Sequence, residues 1–69
     1  MQRFAVGQYV ELRTTVPSRS GGSVPSGTRA IVRDVDADPD DARYLVVVLH
    51  GERPIGEALW LEEPNLIES

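Results

Sequence analysis

ARYLVVVL, residues Ala42 to Leu49, decides the fold of this chain because it is the only long apolar run in it. Its three consecutive valines, Val46 to Val48, carry β-branched side chains, which lose rotamer freedom in a helix and pack well on a pleated sheet. The stretch is therefore predicted to be a central, largely buried strand. The fold class that follows is all-β.

This strand is apolar on both of its faces. The side chains of Tyr44, Val46 and Val48 share one face. Those on the opposite face are Leu45, Val47 and Leu49. A strand that is hydrophobic on both sides is normally covered on both sides. We therefore expect a cover over the second face, from the N-terminal segment with Phe4, from the loop between Val16 and Val24, or from a second subunit.

Four further segments are predicted to be strands: Gln8 to Thr15, Thr28 to Asp36, Ile55 to Glu63, and Leu66 to Ile67. In the first, Val10 and Leu12 alternate with Tyr9, Glu11 and Arg13, which is typical of a half-buried strand. In the second, Ala30 and Val32 face inward and Arg29, Ile31 and Arg33 outward. Val35 breaks that alternation, so a bulge is expected near Asp34.

Residues Ile55 to Glu63 also fit a helix, because Pro54 suits a first helical turn and Pro64 would end it. We prefer a strand, since an isolated helix of about two turns is marginal in stability.

The connections follow from the turn residues. VPSRSGGSVPSG, residues 16–27, is predicted to be a loop from which no packed core can be built, although it is short enough to fold back as a hairpin arm. A turn centred on Pro39 joins the second strand to the valine strand, which should pair antiparallel. HGERP, residues 50–54, is the next turn.

Composition limits what the chain can be. A chain of 69 residues has room for one core, so residues 1–69 are expected to form a single domain. The formal charge of -4 disfavours non-specific binding to nucleic acid or to an anionic membrane. Cysteine is absent, which excludes disulfides and thiolate metal sites. No apolar stretch has the length of a signal peptide or a membrane span, so a cytoplasmic location is expected.

Over nearly its whole length the chain resembles SH3-like small β-barrels. The segments that carry the resemblance are VGQYVEL (6–12), SGTRAIVRDV (26–35), YLVVV (44–48) and LEEPNLIE (61–68). In such barrels a glycine leads into the first strand, the second strand reads Gly-Thr-x-Ala/Gly-x-Val, and an acidic turn precedes the last strand. The resemblance implies a five-stranded antiparallel barrel with a long first loop and a short 3-10 turn before the last strand. In the usual register of such barrels, Tyr44, Val46 and Val48 face the interior, which leaves Leu45, Val47 and Leu49 on the outer face.

Several families share this outline. The sequence is similar to small bacterial SH3-like domains, to the SH3-like half of nitrile hydratase β-subunits, and to the small barrel subunits that dock ferredoxin. KOW-type domains share it too, but they usually carry Lys or Arg around the glycine loop, where this chain is acidic. The resemblance therefore favours an accessory or interaction module over an RNA-binding one.

No motif predicts catalysis, a cofactor or a metal site. The acidic run from Asp34 to Asp41 starts with EF-hand spacing, but Pro39 takes the place of the required Gly and Leu45 that of the bidentate Glu. His50 is the only histidine and has no Cys partners. The glycine loop lacks the spacing and the Lys of a phosphate-binding loop. The chain is therefore not expected to be an enzyme on its own.

The remaining signal is the outer face of the valine strand. The residues that we predict to bind a protein partner are Ile31, Leu45, Val47, Leu49, Trp60 and Arg19, the last at the tip of the long loop. A homodimer is the simplest such partner.

Two alternatives stay open. One is a KOW-like nucleic-acid-binding barrel that uses Arg13, Arg29 and Arg33, although these are expected to pair with Glu11, Glu57 or Asp34. The other is a non-catalytic barrel subunit of a larger enzyme, of the nitrile hydratase kind.

Overall fold

The structure is a computed structural model that describes residues 3–38, 40–54 and 56–69. It is all-β, with one short turn of 3-10 helix at Glu63–Asn65. The strands are β1 (Tyr9–Leu12), β2 (Val16–Pro17), β3 (Ser23–Val24), β4 (Arg29–Asp36), β5 (Arg43–Val48), β6 (Ala58–Glu62) and β7 (Leu66–Glu68). The five predicted strands are all present, with β1 and β6 shorter than predicted. The interpretation of the segment from Ile55 to Glu63 as a strand is confirmed for Ala58–Glu62. Ile55 and the turn centre Pro39 lie outside the described residues.

Five strands form one antiparallel sheet in the order β6-β5-β4-β1-β7, and β2 and β3 form a separate two-stranded sheet. The sequence predicts a single closed barrel, whereas β6 and β7 are the two edges of the sheet, with no ladder joining them in the described part of the chain. The expected bulge is present, since the register between β4 and β5 shifts between Val32 and Asp34.

The core lies on the inner face of this sheet. The inward residues of β1 (Val10 and Leu12) and of β4 (Ala30 and Val32) are buried there. The inward residues of the valine strand, Tyr44, Val46 and Val48, join them as predicted. The lead-in segment closes one end, because Phe4 packs edge-to-face on Tyr44 with ring centroids 5.2 Å apart. Phe4 is therefore a core residue, and it does not cover the outer face.

The long loop contributes more than its composition predicts. Val16 and Val24 lie directly opposite each other in the β2–β3 hairpin, and both are buried in the core. Residues 16–27 therefore fold back as a hairpin, and this hairpin also contributes two side chains to the core of the main sheet. Two valines eight positions apart are enough, because the hairpin places both side chains on the same face.

A tight turn joins β5 to β6. His50 and Arg53 exchange two backbone hydrogen bonds around Gly51 and Glu52, which both have positive φ (57° and 69°). This is a two-residue hairpin turn of type I′, whose twist matches that of the flanking strands. Helices long and apolar enough to cross a membrane are not found in the described residues.

Candidate functional site

An apolar patch crosses the outer face of the main sheet. Strand pairing places Tyr9, Ile31, Val47 and Ala58 in one row, each directly opposite the next on β1, β4, β5 and β6. Directly opposite residues of an antiparallel sheet share a face. The next row toward the other end of β5 holds Leu45 opposite Trp60. We call these six residues the outer patch: Tyr9, Ile31, Leu45, Val47, Ala58 and Trp60.

Two aromatic side chains of the outer patch are open to solvent. Trp60 is 51% exposed and Tyr9 is 44% exposed, whereas Val47, in the middle of the first row, is only 9% exposed. The centre of the outer face is therefore already buried within the chain. What remains in water is the rim, above all the indole on β6. Trp is the residue type most enriched at the energetic centres of protein interfaces.

The structure does not place two of the predicted contact residues in the patch. Leu49 follows the end of β5, is 9% exposed, and lines a cavity of about 460 Å³ beneath the β2–β3 hairpin. Arg19 lies at the tip of that hairpin, where its backbone N–H donates to Glu57 Oε2 (3.1 Å). The same carboxylate oxygen accepts from the Ser18 hydroxyl (3.1 Å). Glu57 therefore ties the hairpin tip to the start of β6. The sequence predicts Glu57 as an ion-pair partner of an arginine, but within the described residues its carboxylate forms no ion pair.

The sequence missed Tyr9 and Ala58 as members of the patch. The alternation of β1 already put Tyr9 on the outward face, which was the available signal. Only the register, in which Tyr9 lies opposite Ile31, shows that it extends the patch across a fourth strand.

Of the three arginines of the predicted stripe, Arg29 has its side chain engaged in several contacts. Arg29 donates to the carboxylate of Glu52 and to the Ser69 hydroxyl (2.9 Å), and its guanidinium lies 5.4 Å from the centre of the Tyr9 ring. Its ion-pair partner is thus Glu52, and the predicted partners Glu11, Glu57 and Asp34 do not pair with it. Arg29 is committed to holding one end of the outer face.

At the other end of the face, carboxylates gather in a groove of about 400 Å³. We call it the acidic groove; it is lined by Asp38, Asp40, Asp41, Ala42, Glu62, Glu63 and Pro64. The one ion pair formed there within the described residues joins Arg43 to Asp41 at 3.3 Å. Strand pairing explains the gathering, because Arg43 lies opposite Glu62 and so draws the end of β6 to the β4–β5 turn. No group of three or more His, Asp or Glu in these same described ranges is arranged to hold a metal ion.

Tyr44 connects this groove to the core. Its buried hydroxyl donates to Glu63 Oε2 (2.8 Å) and accepts from the backbone N–H of Arg3 (3.0 Å). Burial, followed by the hydrogen bond to Glu63, raises the pKa of Tyr44 above its ordinary value. The phenol is therefore held neutral, and it fixes the 3-10 turn against β5.

The described residues thus combine an apolar patch that carries a half-exposed indole with an acidic groove at its end. Comparison with protein-family models, with curated proteins and with solved structures finds no significant match to this chain.

Proposed function

We propose that this protein is a small interaction module or accessory subunit that binds a protein partner through the outer patch. The observation that carries the proposal is Trp60, which stands 51% exposed on a strand beside Leu45 at the rim of an apolar row. A large aromatic side chain left in water stabilises nothing in the free chain, whereas burying it against a partner contributes about 2 to 3 kcal/mol. Leu45 and Ile31, both half-buried, add area to the same contact.

The proposed scaffold is an SH3-like arrangement of strands that acts in the cytoplasm, with its main sheet left open between β6 and β7. Its support is the order of elements along the chain: strand, long loop, two strands joined by a short acidic turn, a fourth strand, a 3-10 turn and a short last strand. This is the order that the resemblance implies. A scaffold of this kind holds the patch on strands, which keeps its side chains preorganised for binding.

Affinity capture from extract of the native cells tests the proposal with three baits. Trp60→Thr and Leu45→Thr each remove apolar area from the outer patch. Val6→Thr removes an exposed apolar side chain in the turn before β1 and serves as the matched control. We expect a partner that the wild-type and Val6→Thr baits retain and that both patch variants lose.

Sedimentation of the purified chain over a range of concentrations tests the simplest partner, a second copy. A dimer that Trp60→Thr dissociates would identify the patch as a homodimer interface. If all baits bind the same proteins, and all variants sediment as monomers like the wild type, the outer patch is not a contact surface and the proposal fails.

A further inference from the structure

Strand β6 has an open backbone edge beside the outer patch. The Val48 N–H donates to the Glu57 carbonyl (3.1 Å), so Glu57, Leu59 and Leu61 direct their backbone groups toward β5. By the alternation of an antiparallel ladder, Ala58 and Trp60 direct theirs away from it. Across residues 3–38, 40–54 and 56–69, β6 pairs with no other strand. The edge is therefore free to take an added strand.

The side chains of β6 specify what such a strand would meet. Trp60 and Glu62 are two residues apart, so they lie on the same face about 7 Å from each other. Beyond Glu62 the carboxylates of the acidic groove continue in the same direction. Along β6 from its start to its end, an added strand would therefore contact Trp60 and then the carboxylates of Glu62 and the acidic groove.

From this arrangement we infer that the partner contributes an extended basic segment, which adds to the edge of β6 by backbone pairing. The inference rests on the proposed function, because Trp60 belongs to the outer patch. An apolar side chain of the segment packs on Trp60, and an Arg or Lys two residues along faces Glu62 and the acidic groove. The backbone bonds supply affinity and the alternate side chains supply selectivity, as in other strand-addition complexes.

Charge decides against the competing occupant, a second copy of this chain. Antiparallel pairing of two β6 strands centred on Trp60 would bring Glu57, just before the strand in one copy, close to Glu63, just after the strand in the other, at both ends of the contact. Like charges directly opposite each other destabilise a strand pair. Carboxylates that flank an edge strand are also a common protection against self-pairing. The same carboxylates attract a basic strand.

The test is an NMR titration of the isotope-labelled protein at low salt with three synthetic heptapeptides. The first carries one Val and two Arg at alternate positions with Thr between them. The second replaces both Arg by Glu. The third keeps the Arg but is N-methylated at the residues whose N–H groups would face β6. We expect only the first to shift the amide signals of Ala58, Trp60 and Glu62, and the other two to bind about tenfold more weakly or not at all.

Two protein variants make the charge test specific. Glu62→Arg is expected to weaken binding of the first peptide by about tenfold. Glu68→Arg makes the same change on the opposite edge strand, β7, and is expected to leave the affinity within about twofold.

The inference is overturned if the Glu peptide or the methylated peptide binds as tightly as the first, or if no peptide shifts the signals of β6. Shifts confined to Ile31 and Tyr9, with no dependence on charge, would overturn it and leave the proposed function standing. Broadening of the β6 signals with protein concentration alone would identify a second copy as the occupant. The capture experiment with the Trp60→Thr and Leu45→Thr baits decides the proposed function separately.

Discussion

Replacing Tyr44 by Phe removes one hydroxyl from the junction of the core and the acidic groove. That hydroxyl donates to Glu63 at 2.8 Å and accepts from the Arg3 N–H at 3.0 Å. A hydrogen bond to a charged group contributes about 1.5 to 3 kcal/mol to stability, but Glu63 is half-buried and Arg3 exposed, so water replaces part of the loss. We therefore expect Tyr44→Phe to lower the free energy of unfolding by about 1 to 2 kcal/mol at pH 7.

The pH dependence gives this prediction a second readout. Because the pKa of Tyr44 is raised above 10.0 in the folded chain, its contribution to stability is fully present below pH 10. It is lost as the pH rises through the folded pKa, by up to about 1.4 kcal/mol per pH unit. The chain has no Cys and all its basic residues are Arg, so no Cys or Lys titration overlaps this pH range.

The assay is urea unfolding followed by circular dichroism between pH 7 and pH 11.5. The wild type and Tyr9→Phe, which alters an exposed tyrosine, should both lose stability above pH 10. Tyr44→Phe should be less stable at pH 7 and should lack most of that alkaline loss. The reasoning is refuted if Tyr44→Phe matches the wild type within about 0.5 kcal/mol at pH 7 and keeps the same alkaline loss.

Three further predictions test the packing of the sheet and its hairpin by the same unfolding assay and by hydrogen exchange. Val46→Thr buries a hydroxyl in the core and should cost about 1 to 3 kcal/mol. Ile31→Thr, at a half-buried position of the outer face, should cost less, and a larger cost there would contradict the division into two faces. Gly56→Ala should lower the free energy of unfolding by about 2 kcal/mol or more, because a Cβ there would lie 2.5 Å from the Val48 carbonyl oxygen of β5. An unchanged free energy of unfolding would show that the two strands separate easily. Glu57→Ala should speed hydrogen exchange of the Arg19 amide while leaving exchange in β5 as it is in the wild type. If exchange at Arg19 stays at the wild-type rate, the carboxylate does not hold the hairpin tip.

Local pattern was sufficient to predict the five strands of the main sheet. The valine run, the alternation of Val10 and Leu12, and the break at Val35 each report on neighbours two residues away, which is the range over which a strand alternates. For this reason the buried face of β5 and the bulge near Asp34 were both predictable.

The openness of the sheet was not predictable in this way. It depends on whether β6 and β7 approach each other, which no local pattern encodes.

The candidate site was predicted in part, because strand alternation can be read from the sequence whereas the register between strands cannot. Ile31, Leu45, Val47 and Trp60 share a face because each lies on the outward side of its own strand. Tyr9 joins them only through the register of β1 on β4.

Leu49 was predicted to belong to the outer patch but does not, because β5 ends at Val48. Arg19 does not belong to it either, because the tip of the β2–β3 hairpin contacts Glu57 next to β6. The acidic groove combines a turn and a strand end that are about 20 residues apart in sequence, brought together by the pairing of Arg43 with Glu62.

Hydroxyl-radical footprinting of Trp60 tests the central claim, that the outer patch is a contact surface, most directly. The oxidation rate of Trp60 is measured in the dilute purified chain and in native cell extract, with the exposed His50 in the β5–β6 turn as the internal reference. The account predicts that Trp60, 51% exposed in the free chain, is protected several-fold in the extract while His50 is not. Equal oxidation of Trp60 in both samples would contradict it.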